Sequence, residues 1–232
     1  MNHLSTAERL ANRYHVMRHG QSKANEAGVI VSRIETDREG DWGLSELGQR
    51  QALAAAERCG LPADTVICSS DFSRALQTAE IMRAHLGAPA VTIAEALRER
   101  CFGDLEGTPA GNYARVWQAD NGDAGHPEDV ESAAAVLDRT TTLIADLEQR
   151  YSGCDILLVS HGDTLQILQA GFLRVDPAGH RRLPHLDTAE IRLLELGERP
   201  APAQASLFLC LRDAAAKLAP CAPAPGWRCH NF

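Results

Sequence analysis

The stretch Tyr14-His15-Val16-Met17-Arg18-His19-Gly20-Gln21-Ser22-Lys23-Ala24-Asn25 joins a short apolar run to a charged, glycine-containing turn. Arg18 offers planar donors suited to an oxyanion such as phosphate, and Gly20 lets the backbone come close to a bound group. A surface turn with an incidental histidine would contain the same tripeptide, so the reading depends on partners elsewhere. Two other apolar runs end in polar groups in the same way. Val66-Ile67-Cys68 leads to Ser70-Asp71-Phe72-Ser73-Arg74, and Ile156-Leu157-Leu158-Val159 leads to Ser160-His161-Gly162. Open α/β sheets bind ligands outside the carboxyl ends of their strands, so an arginine-histidine pair leaving a first strand points at a pocket.

The elements that must position these groups alternate between strand and helix patterns. Residues 26–43 mix glycine, serine, threonine and charge and read as a long loop near the pocket mouth. Ser45 is placed to N-cap a helix that ends at Gly60-Leu61-Pro62, Thr65-Val66-Ile67-Cys68 is β-rich, and a helix follows over 72–86. Ala90-Val91-Thr92-Ile93 forms a short third strand, followed by a loop or lid over 95–107 and irregular chain to residue 127. Val136, Leu137, Leu143, Ile144 and Leu147 recur at helical spacing within 130–151. Residues 154–159 are the most strand-like stretch, 163–173 are helical in pattern, and 188–196 are a final strand with imperfect alternation. The class is α/β: a three-layer sandwich with a mostly parallel central sheet flanked by helices. Residues 1–196 are expected to form the catalytic domain and 197–232 a Pro/Ala-rich, partly disordered C-terminal appendage.

A chain of 232 residues with 44% hydrophobic content supports one large core. Its formal net charge of −8 argues against nucleic-acid binding, so an anion site must be a local basic pocket in an acidic protein. No run approaches the roughly 18 apolar residues of a membrane span, and residues 1–13 are too polar for a signal peptide, so no membrane partner and a cytoplasmic location are expected. The seven cysteines are odd in number, scattered and without a Cys-x-x-Cys pair, which suits reduced thiols. Cys221, Cys229 and His230 do not make four ligands, and neither a metal nor a cofactor is expected. Ser160, His161 and Asp163 stand too close on one turn for a hydrolase triad, and no Gly-x-Ser-x-Gly elbow exists.

Four pieces together resemble the histidine phosphatase superfamily, the group that includes cofactor-dependent phosphoglycerate mutase and fructose-2,6-bisphosphatase. They are Arg18-His19-Gly20-Gln21-Ser22 with Asn25; Ser69-Ser70-Asp71 through Arg74-Ala75-x-x-Thr78-Ala79; Leu97-x-Glu99-x-x-Phe102-Gly103-x-x-Glu106-Gly107; and Ser160-His161-Gly162. The resemblance covers residues 14–196 and implies a phosphoglycerate mutase-like fold. It implies that His19 is a nucleophile passing through a phosphohistidine, which requires a neutral imidazole, and the nearby cations Arg18 and Arg74 would favour that form. It further implies that Arg18, Arg74 and His161 hold the phosphoryl oxygens, that Asn25, Gly162 and more weakly Ser22 complete the phosphate pocket, and that Glu99 serves as acid and then base. Glu95 and Glu106 are the local rivals, and Glu99 has an alternative as an ordinary partner of Arg98 or Arg100.

Within the family it resembles, mutases carry extra segments that retain a phosphoglycerate and exclude water, so the short chain between Gly107 and Val130 and the phosphatase-like Phe-Gly-x-x-Glu-Gly form imply a metal-independent phosphomonoester hydrolase acting on a small phosphorylated metabolite. Phosphoglycerate mutase-type transfer and non-catalytic phosphate binding are the alternatives, and a homodimer is left open. Specificity is expected from residues 26–42 and 107–127, where Arg33, Arg38, Tyr113, Arg115 and Trp117 would reach a leaving group. Several basic side chains there would suit a second phosphate or a carboxylate.

Overall fold

The run Asp-Ile-Leu-Leu-Val-Ser forms strand β4 (Asp155–Ser160), buried along its whole length because helices cover both faces of the sheet at this point. The computed structural model describes residues 1–122 and 125–198. Strands β1 (Arg13–Arg18) and β2 (Val66–Ser69) flank β4 and run parallel to it. β3 (Val91–Ile93) extends the parallel set beyond β2, and β5 (Ile191–Leu194) adds to β1 in the antiparallel sense. Among the described residues the order is β3-β2-β4-β1-β5, a mostly parallel sheet as expected.

Strand alternation divides the interior in two. Tyr14, Val16, Ile156 and Leu158 pack with Ile144 and Leu147 of α6 (Ala133–Arg150) and with Leu165 and Leu168 of α7 (Gly162–Leu173). Met17, Ile67, Leu157 and Val159 pack instead with α3 (Glu46–Arg58) and α4 (Ser73–Leu86), whose Ala55, Ala56, Ala75 and Ala79 allow close approach. These two layers and the sheet between them are the three-layer sandwich. Each fully buried Leu or Val contributes about 1.5–3 kcal/mol. Ser45 caps α3 as expected, accepting from Gly48 N at 3.1 Å.

Three local expectations are corrected. Residues 26–43 are not one long loop, because α1 (Lys23–Ala27) and α2 (Ile34–Glu39) occupy much of them. α1 is a single turn fixed by a capping box between Ser22 and Asn25 and stopped by Gly28 at φ 65°, and α2 buries only Ile34 and Asp37, so neither has an apolar stripe to read. α5 (Tyr113–Asp120) lies in chain expected to be irregular, again with a short buried face of Val116 and Ala119. β5 is shorter than 188–196 because Glu190 N closes a turn onto Asp187 O at 3.0 Å. Apart from residues 197 and 198, the expected appendage lies outside the described residues, as do Cys221, Cys229 and His230. Among the described residues no helix is long and apolar enough to cross a membrane.

α3 sits directly against the turn that follows β1. A Cβ on Gly48 would fall 2.0 Å from Gln21 O, and one on Gly20 would fall 2.4 Å from Gly48 O. Alanine at position 48 gains about 1 kcal/mol of helix propensity, but the overlap is with backbone and can be relieved only by moving the turn, typically at about 1–3 kcal/mol or more. Gly48→Ala is therefore expected to lower stability despite the better helix former. Urea denaturation checks this, and an unchanged or raised midpoint contradicts it.

Candidate active site

β1, β4 and β2 lie side by side with their carboxyl ends level, Arg18 in register with Ser160 and Ser69 with Val159. Parallel pairing thus delivers three segments to one end of the sheet, where His19 N donates to Ser160 O and Ser70 N to Val159 O, each at 3.0 Å. The His19 and His161 rings meet edge to face with centroids 5.1 Å apart, and Phe72 packs on His161 at the same separation.

His19 Nδ1 lies 2.7 Å from Gly20 O, and its Nε2 lies 3.2 Å from Arg74 Nε. A carbonyl can only accept and a guanidinium can only donate, so the ring proton sits on Nδ1 and the Nε2 lone pair faces Arg74. Burial, and then the charges of Arg74 and Arg18, hold the His19 pKa well below its ordinary value against the opposing pull of the Gly20 carbonyl. The result is a neutral imidazole in a cationic setting, its Nε2 lone pair accepting from Arg74.

Arg74, buried in the first turn of α4, is positioned from α2 and the chain before it. Its Nη1 faces Asp37 Oδ1 at 3.5 Å and its Nη2 donates to Val31 O at 2.9 Å. Asp37, 2% exposed, also accepts from Ser73 N and Ser73 Oγ at 2.8 and 2.6 Å, which ties α2 to the start of α4. One turn further on, Thr78 Oγ1 accepts from Gly20 N at 3.1 Å and donates to Arg74 O at 2.8 Å.

Arg18 Nη1 donates to Leu186 O at 3.0 Å and to His185 Nε2 at 2.9 Å, while its buried Nε has no partner among the described residues. His161 Nε2 lies 3.0 Å from Ser70 Oγ, which also accepts from Phe72 N at 3.3 Å. His161 Nδ1 is a second buried nitrogen without a partner among the described residues, and it is a donor in the tautomer in which the Ser70 hydroxyl donates to Nε2. Burial lowers the pKa of both Arg18 and Arg74, and burial followed by the Arg74 charge lowers that of His161. Unpartnered buried donors beside two desolvated guanidiniums are the complement of a phosphoryl group.

Glu99 lines the same cleft, which has a volume of about 130 Å³. Its Oε1 accepts from Arg100 N at 3.0 Å and from Thr164 Oγ1 and N at 3.1 and 3.3 Å, and Oε2 carries none of these bonds. Burial and then the Asp163 charge raise its pKa, with Arg74 opposing. The rivals are engaged elsewhere. Glu95 is exposed and pairs with Arg98, while Glu106 accepts from Ser32 Oγ at 2.6 Å and Ser32 N at 2.9 Å. Arg98 and Arg100 are not side-chain partners of Glu99 either: Arg98 holds Asp71, and Arg100 holds Asp120 and Asp163.

Asn25, Ser22 and Gly162 line the cleft, although Asn25 Oδ1 is committed to Ser22 N and Oγ, both at 3.0 Å. Of the expected specificity residues, Tyr113 and Trp117 line the cleft; Arg33, Arg38 and Arg115 do not. Arg38 is largely exposed and lies 3.6 Å from Asp71, and Arg115 is exposed on α5. Two further basic groups line the cleft, Arg181 and His185, which sequence reasoning missed. A signal for Arg181 existed in the His180-Arg181-Arg182 run closing the turn after α7, whereas nothing local marks Asp37 or Ser70 as partners of distant arginine and histidine side chains. Among the described residues no group of three or more His, Cys, Asp or Glu side chains is arranged to hold a metal ion.

The profile of the histidine phosphatase superfamily (branch 1) matches residues 14–204. The glucosyl-3-phosphoglycerate phosphatase of Mycobacterium tuberculosis is 32% identical over 183 residues, covering 72% of this chain and 78% of that protein. A metal-independent phosphoserine phosphatase of Arabidopsis thaliana is 31% identical over 172 residues, covering 70% of this chain and 68% of that protein. The solved structure of mycobacterial glucosyl-3-phosphoglycerate phosphatase superposes with a TM-score of 0.66 at 30% identity, over 78% of this chain and 88% of that one.

The state of the imidazole is directly testable. A lowered pKa means that His19 stays neutral as pH falls through the ordinary histidine range of about 6.5, protonating only at more acid pH. Nitrogen-15 NMR should therefore show a protonated Nδ1 and a bare Nε2 at about pH 6, and Arg74→Gln should move the titration upward. A wild-type His19 that titrates near the ordinary value contradicts this.

Proposed function

Because the chain belongs to the histidine phosphatase superfamily (branch 1), we propose a residue-by-residue course for the phosphomonoester hydrolysis that this enzyme performs on small phosphorylated metabolites. His19 is the nucleophile. The observation that carries this assignment is the pair of contacts on its ring, Nδ1 to Gly20 O and Nε2 to Arg74 Nε, which leaves Nε2 aprotic. When substrate enters, the Arg74 Nε–H transfers its hydrogen bond from Nε2 to a phosphoryl oxygen, freeing the lone pair for attack. Nε2 forms a bond to phosphorus, the ester P–O bond breaks, and the departing oxygen takes a proton from Glu99. Glu99 as carboxylate then takes a proton from water, whose oxygen attacks phosphorus, and the P–N electron pair returns to Nε2.

Arg18, Arg74 and His161 Nδ1 are assigned to the phosphoryl oxygens, where fixed donors stabilise charge without reorganising. The backbone of Gly162 and the Ser22-Asn25 capping box shape the rest of the pocket. The opposed pKa shifts suit the sequence of steps: His19 is held neutral while Glu99 holds its proton to higher pH than an ordinary carboxylate. A cytoplasmic setting is part of the same proposal, supported by the free thiols Cys59, Cys68, Cys101 and Cys154.

Turnover of p-nitrophenyl phosphate is expected to survive EDTA and to fall by about a thousandfold or more in His19→Ala. Glu99→Gln should slow an alkyl phosphate by about 10²–10⁴-fold; with p-nitrophenyl phosphate the first burst of nitrophenolate should be spared, since it leaves without needing a proton, while steady turnover falls because the attacking water loses its base. Activity abolished by the chelator, or retained in His19→Ala, contradicts the assignment.

A further inference from the structure

Arg181 lies in the 3₁₀ turn Pro177–Arg182 that follows α7, and it lines the same cleft as Arg18, His19 and Arg74. Its guanidinium covers the Trp117 ring, 3.8 Å from the centroid. Trp117 is also stacked on Tyr113, with centroids 5.6 Å apart and planes within 12°, and its Nε1 donates to Asp163 Oδ1 at 2.8 Å. The indole is already occupied by protein as a stacking partner, so what this wall presents to a ligand is the cation.

Among the described residues that cation has no direct ion-pair partner, although the Asp163 and Glu99 charges reach it. Arg181 Nη1 donates to Gln166 Oε1, a neutral amide, and among the described residues Nη2 and Nε have no acceptor and no carboxylate lies at ion-pair distance. Asp163, whose charge does reach it, gives Oδ1 to Trp117 and His180 and Oδ2 to Arg100. Elsewhere in this chain the Nε–Nη2 edge of Arg98 holds both oxygens of Asp71, at 2.8 and 2.7 Å. The corresponding edge of Arg181 is free and held in place by Trp117 and Gln166. A planar fork of single positive charge, with the Glu99 and Asp163 carboxyls in the same cleft, matches a carboxylate better than a second phosphate dianion.

Building on the phosphatase reading, we propose that Arg181 is a specificity-determining residue that binds a carboxylate on the leaving group, so that the preferred substrates are phosphate monoesters of small hydroxy acids. This places at Arg181 the second anion-binding function that the sequence suggested for Arg33 and Arg38.

The pair 3-phosphoglycerate and glycerol 3-phosphate tests it, since one carries a carboxylate where the other carries a hydroxymethyl group. Wild-type kcat/KM is expected to favour 3-phosphoglycerate by about tenfold or more, the size of a charge-assisted bidentate contact. Arg181→Gln should bring the ratio to within about twofold of unity, chiefly by raising KM for 3-phosphoglycerate, and Arg181→Lys should retain an intermediate ratio. Both esters are read on one preparation, so loss of folded enzyme scales both and leaves the ratio untouched. A wild-type ratio near unity, or a ratio unchanged in Arg181→Gln, overturns the proposal. Absence of turnover with both esters would count against the phosphatase reading alone, and calorimetry then decides the role of Arg181. Tighter wild-type binding of 3-phosphoglycerate that disappears in Arg181→Gln supports it, and equal binding of the two esters overturns it.

Discussion

The contact between Arg74 Nε and His19 Nε2, at 3.2 Å, is the constraint around which the rest of the site is arranged. It requires an imidazole that accepts, and therefore a proton on Nδ1 and a carbonyl, Gly20 O, to receive it. It also requires a guanidinium buried nearly out of water, which is costly unless its remaining donors are satisfied. Asp37 and Val31 O meet that need from outside the sheet. The close fit of Gly20 against Gly48, and the bond from Gly20 N to Thr78, then hold the histidine turn where the arginine can reach it.

The Arg74 charge that helps to keep His19 neutral also disfavours a proton at Glu99. There Arg74 favours the carboxylate, but burial and the Asp163 charge outweigh it and raise the pKa. One pocket thus lowers the proton affinity of a base and raises that of an acid, and separated values of this kind let two groups divide nucleophilic and proton-transfer work. Asp163 is able to act this way because it remains ionised, stabilised mainly by His180 and Arg100 against its own burial.

Much of this was legible in the sequence because the central groups sit directly at strand ends. Arg18-His19 and Ser160-His161 are read from the apolar runs that precede them, and parallel pairing of those runs is a property of the fold class. Arg74 needed the resemblance, since an arginine near the start of a helix is ordinarily solvated. Glu99 required the resemblance of a longer motif, since Glu95 and Glu106 are equivalent to it by type and only burial and bonding separate the three. Asp37 and Ser70 were not legible as partners, because each acts across an interval that no periodicity spans, 37 residues from Asp37 to Arg74 and 91 from Ser70 to His161, while the His180-Arg181-Arg182 run marked a basic turn without tying it to the pocket. The short helices α1 and α2 escaped for a related reason, being fixed by a capping box and by one buried ion pair rather than by an amphipathic stripe.

The most direct test of the central claim is to trap the phosphoenzyme. Acid-free rapid quenching during turnover of a labelled phosphate ester, followed by peptide mapping, should find an acid-labile, alkali-stable phosphoryl group on the peptide containing His19, formed and discharged at rates compatible with turnover. Steady turnover with no covalent label, or a label carried by His161 instead, would contradict the account of His19 as a neutral nucleophile held between Gly20 and Arg74.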